Sequence, residues 1–200
     1  MNIWIVRHGE TAKNREKRLQ GRSNAPLNEA GIRQAEAVRS FFSARGIHMD
    51  AVYASPLLRA VQTAGIIAGA EAGIITDELL LEMDYGPYEG ASLENPAPEL
   101  IYFFQDFVHH PAPDGMESLE SVTARMGLFL ERIKALNADN ILIATHAIAM
   151  KGALEYLTPG SNSAYWSKTI GTCTVYRSTC DSGQFTVPEE VFSLNHEAGV

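Results

Sequence analysis

Cysteine is scarce. The 200 residues hold two, Cys173 and Cys180, too few for the disulfide framework of a small secreted scaffold, and both are expected to be ordinary thiols. No apolar run approaches the roughly 20 residues needed to cross a bilayer. The apolar stretch 3–6 meets Arg7 at once, which is not how a signal peptide reads. Positive charge is also in short supply. Sixteen Lys and Arg stand against 24 Asp and Glu, a net charge of −8, and this argues against nucleic acid or an anionic membrane as partner. Internal repeats and long linkers are missing. What remains, 46% hydrophobic and 20% charged, is a globular balance. The expectation is one cytoplasmic domain over residues 1–200, its oligomeric state open, a homodimer included.

The cations are unevenly placed. Residues 1–22 carry Arg7, Lys13, Arg15, Lys17, Arg18 and Arg22 against Glu10 and Glu16, a local net charge of +4 on an otherwise acidic chain. A solvated loop and a local anion site both fit, since salt screens the acidic remainder beyond about 8 Å. Residues 83–124 contain no Arg or Lys at all.

Short apolar runs alternate with helical patterns. Residues 3–6 read as a buried strand, ended by a polar, Gly-containing loop. Asn28 reads as the N-cap of a helix whose apolar positions are Ile32, Ala35, Val38 and Phe42, with Gly46 at its stop. Residues 51–54 form a second strand, and Ser55-Pro56 are expected as N-cap and first residue of a helix to about Ile67. Residues 74–76 are a weaker strand, and 79–81 run into Glu82. A Gly- and Pro-rich loop covers 86–98, then a short aromatic helix covers 100–108. Ser118 opens a long helix to about Leu136, burying Val122, Met126, Phe129, Leu130 and Ile133. Residues 141–144 are a third clear strand, followed after His146 by a helix to Leu157. Closing strands are expected at 172–176 and 185–187. Such alternation predicts an α/β fold, a three-layer α/β/α sandwich around a mostly parallel sheet.

Ligands of such sheets bind at the carboxyl ends of the strands. There the first strand delivers Arg7-His8-Gly9-Glu10-Thr11, the second leads to Arg59, and the third ends at Thr145-His146-Ala147. Glu82 follows a further apolar run. Each residue alone reads as an ordinary polar group; together at one edge they read as a site. Arginine forks match phosphate oxygens, and the helix N-termini after Ser55 and His146 are expected to add backbone N–H donors. Nearby positive charge disfavours imidazolium, so His8 is expected below its free pKa of about 6.5 and able to attack phosphorus. Glu82 is placed to protonate the departing oxygen and then deprotonate water.

Five blocks in order resemble the histidine phosphatase (phosphoglycerate-mutase-like) superfamily. They are Arg7-His8-Gly9-Glu10-Thr11 with Asn14; Gln20-Gly21-Arg22-Ser23 with Pro26-Leu27; Ser55-Pro56-Leu57-Leu58-Arg59-Ala60 with Gln62-Thr63-Ala64; Glu82-Met83-Asp84-Tyr85-Gly86 with Glu89-Gly90; and Gly115-Met116-Glu117-Ser118. The resemblance implies a phosphoglycerate-mutase-like fold and a phosphohistidine at His8. It implies phosphoryl binding by Arg7, Asn14, Arg59, His146 and Ala147, and Glu82 as general acid and base. Gln20 and Gly21 would lie against the substrate. No metal or cofactor is implied, and the partner is a small phosphorylated metabolite. Ala147 replaces the glycine usual after the second histidine, and Lys13 replaces an aromatic common before the asparagine. The phosphatase branch, α-ribazole-phosphatase-like or of broad specificity, is favoured because the cation-free stretch suits phosphoglycerate poorly. The alternatives are a phosphoglycerate mutase and a non-catalytic phosphate-binding module.

Residues 86–113 are a candidate lid insertion, its aromatics Tyr102, Phe103, Phe104 and Phe107 being either core or lid. Asp106, His109 and His110 have helical metal-site spacing but lack a fourth ligand, so a surface position is expected. His48 and His196 are expected at the surface too.

Overall fold

The computed structural model describes residues 1–69 and 71–194. Its centre is a sheet in the order β3-β2-β4-β1-β5-β6, with β7 also paired to β5. The strands are β1 Asn2–Arg7, β2 Ala51–Ala54, β3 Ile74–Thr76, β4 Asn140–Thr145, β5 Val175–Asp181, β6 Gln184–Phe185 and β7 Glu189–Phe192. The four strands β3, β2, β4 and β1 run parallel, and β5 adds an antiparallel edge. β5 lies later than the expected 172–176, and of the expected 185–187 only Phe185 is in a strand, β6, while Thr186 and Val187 lie in neither β6 nor β7. β5 is placed by pairing with β1, and β6 and β7 by pairing with β5, which local pattern does not encode.

The helices are α1 Ala12–Arg15, α2 Glu29–Ser43, α3 Leu58–Ala68, α4 Pro98–Gln105, α5 Leu119–Ile133 and α6 Ala147–Leu157. Strand side chains alternate between two cores. Ile3, Ile5, Ile141 and Ile143 pack with the buried faces of α5 and α6. Trp4, Val6, Leu142 and Ala144 pack with α2 and α3, where Trp4 meets Phe42 edge-on at 5.2 Å. The result is a three-layer α/β/α arrangement.

Local caps hold where the sequence places them. Asn28 Oδ1 accepts the Gly31 N–H at 2.8 Å, and Ser118 Oγ accepts the Ser121 N–H at 3.1 Å. One buried position and three boundaries differ. Ile32 is 39% exposed because Gly31 turns inward instead. The helix expected from Ser55-Pro56 starts at Leu58, and its cap comes from a distant loop, where Asn24 Oδ1 accepts the Leu58 N–H at 2.7 Å. The long helix stops at Ile133, short of Leu136. The aromatic helix runs from Pro98 only to Gln105, since the Asp106 carboxylate turns to accept the Val108 and His109 N–H groups. Asp106, His109 and His110 therefore share no helical face, and no cluster able to hold a metal occurs among the described residues. His48 is exposed; His196 lies outside the described residues. No helix among them is long and apolar enough to cross a membrane.

Candidate active site

Arg7 ends β1 and His146 follows β4, its parallel neighbour, so the two loops emerge side by side. His8 is 3% exposed and His146 fully buried, with ring centroids 5.1 Å apart and planes inclined at 61°. Getting His8 there requires a close approach. The loop after β1 lies on the first turn of α2, where a Cβ on Gly9 would stand 2.5 Å from the Gly31 carbonyl oxygen. Below it, Thr63 of α3 accepts the Gly9 N–H at 3.1 Å.

Hydrogen bonds give the two imidazoles opposite tautomers. His8 Nδ1 lies 2.7 Å from the Gly9 carbonyl; a carbonyl only accepts, so Nδ1 carries the proton and Nε2 keeps its lone pair. Arg59 Nε–H donates to His146 Nδ1 at 3.2 Å, so the His146 proton sits on Nε2, which is buried without a partner. Burial, then Arg59 and Arg7, hold His8 well below the usual imidazole range. Burial and Arg59 do the same to His146. Both rings are neutral at pH 7, one a free base and the other a free donor.

Arg59 is completely buried. Its Nη1 and Nη2 donate to the Ser23 and Gly21 carbonyls, each at 2.8 Å. Burial pushes it down to about 10, with Glu82 opposing, so it stays charged at neutral pH. Five N–H groups less three bonds leave two for an anion. Arg7 is half-buried; its Nη1 donates to the Ile170 carbonyl, and its Nε has no partner.

Glu82 is 3% exposed. Its Oε1 accepts N–H groups of Met83 at 2.9 Å and Ala149 at 3.0 Å, and Oε2 accepts that of Ile148 at 3.2 Å. The donors expected at the starts of α3 and α6 are therefore largely committed within the protein, to Asn24 and to Glu82, rather than open to an anion. The loop carrying Glu82 is fixed from α5: Arg125 Nη1 donates to the Leu79 and Leu81 carbonyls, and its Nε and Nη2 to Glu117.

The remaining candidates lie on α1, the loop after it and the start of α6. Thr11 caps α1 with Asn14, whose Oδ1 accepts the Thr11 N–H at 3.1 Å. Thr11 Oγ1 also reaches Gln20 Oε1 at 2.7 Å, leaving Gln20 Nε2 buried and unpartnered. Gly21 has both backbone groups in use, its N–H on Glu89 and its carbonyl under Arg59. It has no room for a side chain, since a Cβ would lie 2.7 Å from the Met83 carbonyl and the Tyr85 ring. Ala147 is the first residue of α6 and is absent from the positive-φ residues, so the missing glycine entails no strain. Lys13 bonds Ser23 Oγ at 2.8 Å.

Most N-terminal cations turn out to be paired with carboxylates: Arg15 with Glu10, Lys17 with Glu94, Arg18 with Glu16, Arg22 with Glu117. Arg7 is the cation of this segment that stands by the histidines. Sequence reasoning missed Arg125 and Lys151, and it gave no role to Thr63 and Glu117, which it quoted only as members of motif blocks. For Lys151 there was a signal, a lysine interrupting the apolar run of α6. Cys173 donates its N–H to the Arg7 carbonyl; burial pushes its thiol up to about 12, which disfavours the reactive thiolate.

The model of the histidine phosphatase superfamily (branch 1) matches residues 3–190. Phosphoserine phosphatase 1 of Hydrogenobacter thermophilus is 30% identical over 172 residues, 84% of this chain and 81% of its own. A Yersinia pestis protein named "Probable phosphoglycerate mutase GpmB" is 34% identical over 163 residues, 78% of this chain and 74% of its own. The crystal structure of the α-ribazole phosphatase from Shigella flexneri superposes with a TM-score of 0.82 at 23% identity, covering 96% of each chain. The chain belongs to the histidine phosphatase superfamily.

Proposed function

We propose that this member of the histidine phosphatase superfamily is a metal-independent phosphomonoester hydrolase that works through phosphorylated His8 on a small phosphorylated metabolite. The observation that carries this reading is the opposed pair of neutral imidazoles 5.1 Å apart, one offering a lone pair and the other a proton, beside Arg7 and Arg59. His8 Nε2 attacks phosphorus, and the bond from phosphorus to the ester oxygen breaks. That oxygen takes a proton from Glu82. Arg7, Arg59, His146 Nε2–H and the Gln20 amide hold the phosphoryl oxygens, with Asn14 at the rim. Such preorganised donors supply much of the barrier lowering in phosphoryl transfer. Glu82 then takes a proton from water, whose oxygen attacks phosphorus; the N–P bond breaks, its electron pair returns to Nε2, and inorganic phosphate leaves.

Two arginines supply the positive charge that a metal ion would otherwise bring. In experiments quenched with alkaline detergent, which spares the acid-labile N–P bond, an ester radiolabelled in its phosphoryl group is expected to leave label on the wild-type protein and none on His8→Ala. Unlabelled wild-type protein during turnover would overturn the reading.

One observation favours a second reading. Residues 83–124 lack cations, but Lys151 and Lys168 reach the neighbouring cavity from α6 and the loop beyond it, so a carboxylate-bearing leaving group is not excluded by charge. Supplied with 3-phosphoglycerate, a hydrolase yields free phosphate and a mutase yields the isomer. Tight binding of phosphate esters with neither outcome would point to the non-catalytic module.

A further inference from the structure

Against Arg7 and Ala147, the chain neighbours of His8 and His146, lies a cavity of about 700 Å³. It meets the site at Arg7 and Ala147, and its apolar walls include Leu100, Phe104, Phe107, Ile148, Trp166 and Ile170. The aromatic segment is thus divided in its roles. Leu100 and Phe103 are completely buried core residues, Phe104 and Phe107 face the cavity, and Tyr102 is exposed. Phe107 meets Phe103 at 4.8 Å and Trp166 at 6.2 Å, which ties the segment to the far wall. A cavity of this size is in the range that encloses ring-bearing ligands; a three-carbon alcohol leaves most of it unfilled.

Lys151 lies on this wall, one helical turn after Ala147. It is 8% exposed. Its Nζ donates to the Trp166 carbonyl at 2.7 Å and stands 4.8 Å from the centre of the Phe107 ring. An ammonium has three donors, and among the described residues no carboxylate forms an ion pair with it. Burial pushes it down to about 8, with the charge of Glu82 opposing. A buried cation without a partner anion is costly. It persists here at the edge of an apolar cavity that opens onto the phosphoryl site.

Resting on the phosphatase reading, we propose that this cavity holds the ester's alcohol portion and that Lys151 selects a ring-bearing alcohol carrying a carboxylate. The carboxylate completes the unpaired ammonium, and the ring fills the space between Phe104, Phe107 and Trp166. Lys168, exposed on the same rim, draws the anion toward the opening.

The test compares 2-naphthyl phosphate with 6-carboxy-2-naphthyl phosphate on the intact protein at pH 7. The wild type is expected to favour the carboxylated ester about 10- to 100-fold in kcat/KM, the range of one hydrogen bond to a charged group. In Lys151→Met the ratio should fall to near one, while Lys151→Arg retains a preference. A wild-type ratio near one, or equal losses on both esters in Lys151→Met, overturns the proposal; the latter is what a purely structural lysine gives. If the Met variant does not fold, the wild-type ratio and the Arg variant still decide. If the wild type hydrolyses neither ester, the phosphatase reading fails, and calorimetry decides the subsite alone. Binding of 6-hydroxy-2-naphthoate at least about tenfold tighter than 2-naphthol supports it, and equal binding refutes it.

Discussion

Glu82→Gln separates two things the structure assigns to one side chain: holding the start of α6 and handling a proton. In the variant, the amide oxygen can take the place of Oε1 between the Met83 and Ala149 N–H groups, but the amide nitrogen then faces the Ile148 N–H, 3.2 Å from Oε2 in the native protein. One hydrogen bond to a charged group is lost and two donors are opposed, at a cost of about 2 kcal/mol. For a chain of this size that lowers Tm by about 4–8 °C, so the variant should remain folded at 25 °C. The catalytic cost depends on the leaving group. An alkyl phosphate needs its departing oxygen protonated, and losing a positioned acid slows it by about 10²–10⁴-fold. 4-Nitrophenolate leaves without a proton, so phosphorylation of His8 should stay fast while the second step lacks its base. The expected result with 4-nitrophenyl phosphate in stopped flow is a burst of nitrophenolate equal to the enzyme present, then slow turnover and acid-labile label on the protein. Equal losses on alkyl and nitrophenyl esters with no burst would refute the proton-transfer role and leave Glu82 as a helix cap alone.

Three further outcomes follow from the same geometry. Chelators such as EDTA should leave phosphate release unchanged, and activity lost on chelation and restored by a divalent cation would sink the metal-independent mechanism. His8 and His146 are held neutral in the fold but protonate near pH 6.5 when unfolded, so the unfolded state gains protons first as pH drops. Their contribution is flat above pH 6.5, and stability falls below it by up to about 1.4 kcal/mol per pH unit for each ring; urea titrations at pH 7, 6 and 5 should show a shallower decline in His8→Ala than in wild type, and parallel curves would contradict the neutral assignment. Gly21→Ala drives a methyl against the Met83 carbonyl and the Tyr85 ring, an overpacking cost of about 1–3 kcal/mol; because Gly21 carries Arg59, kcat/KM should fall as well, and a variant with native melting and activity would show that the loop has room to spare.

How far the sequence alone reaches differs by element. The parallel strands β1 to β4 and the caps Asn28 and Ser118 are legible because their signals are local: an apolar run bounded by turn residues, or a side chain three residues from the N–H it accepts. Strand ends and motif blocks together likewise point to Arg7, His8, Arg59, Glu82 and His146 as neighbours at one sheet edge. Local pattern misplaces the start of α3 because its cap, Asn24, lies 34 residues upstream. Local pattern misplaces the last strands because β5 takes its register from β1, 169 to 177 residues away.

Chain order and residue chemistry thus determined the layered α/β fold and which side chains gather at its edge. Tertiary structure alone decided what each can do there. The partners that fix Arg7 and Arg59 are carbonyls of Ile170, Ser23 and Gly21, groups every residue possesses and no sequence pattern can mark. Placing the Arg59 Nε–H against His146 and the Gly9 carbonyl against His8 set the two tautomers, and packing the aromatic segment against α6 put Lys151, which has no carboxylate partner among the described residues, on the wall of a cavity of about 700 Å³. Electrostatics and hydrogen bonds act across space, while sequence patterns report mainly on neighbours along the chain.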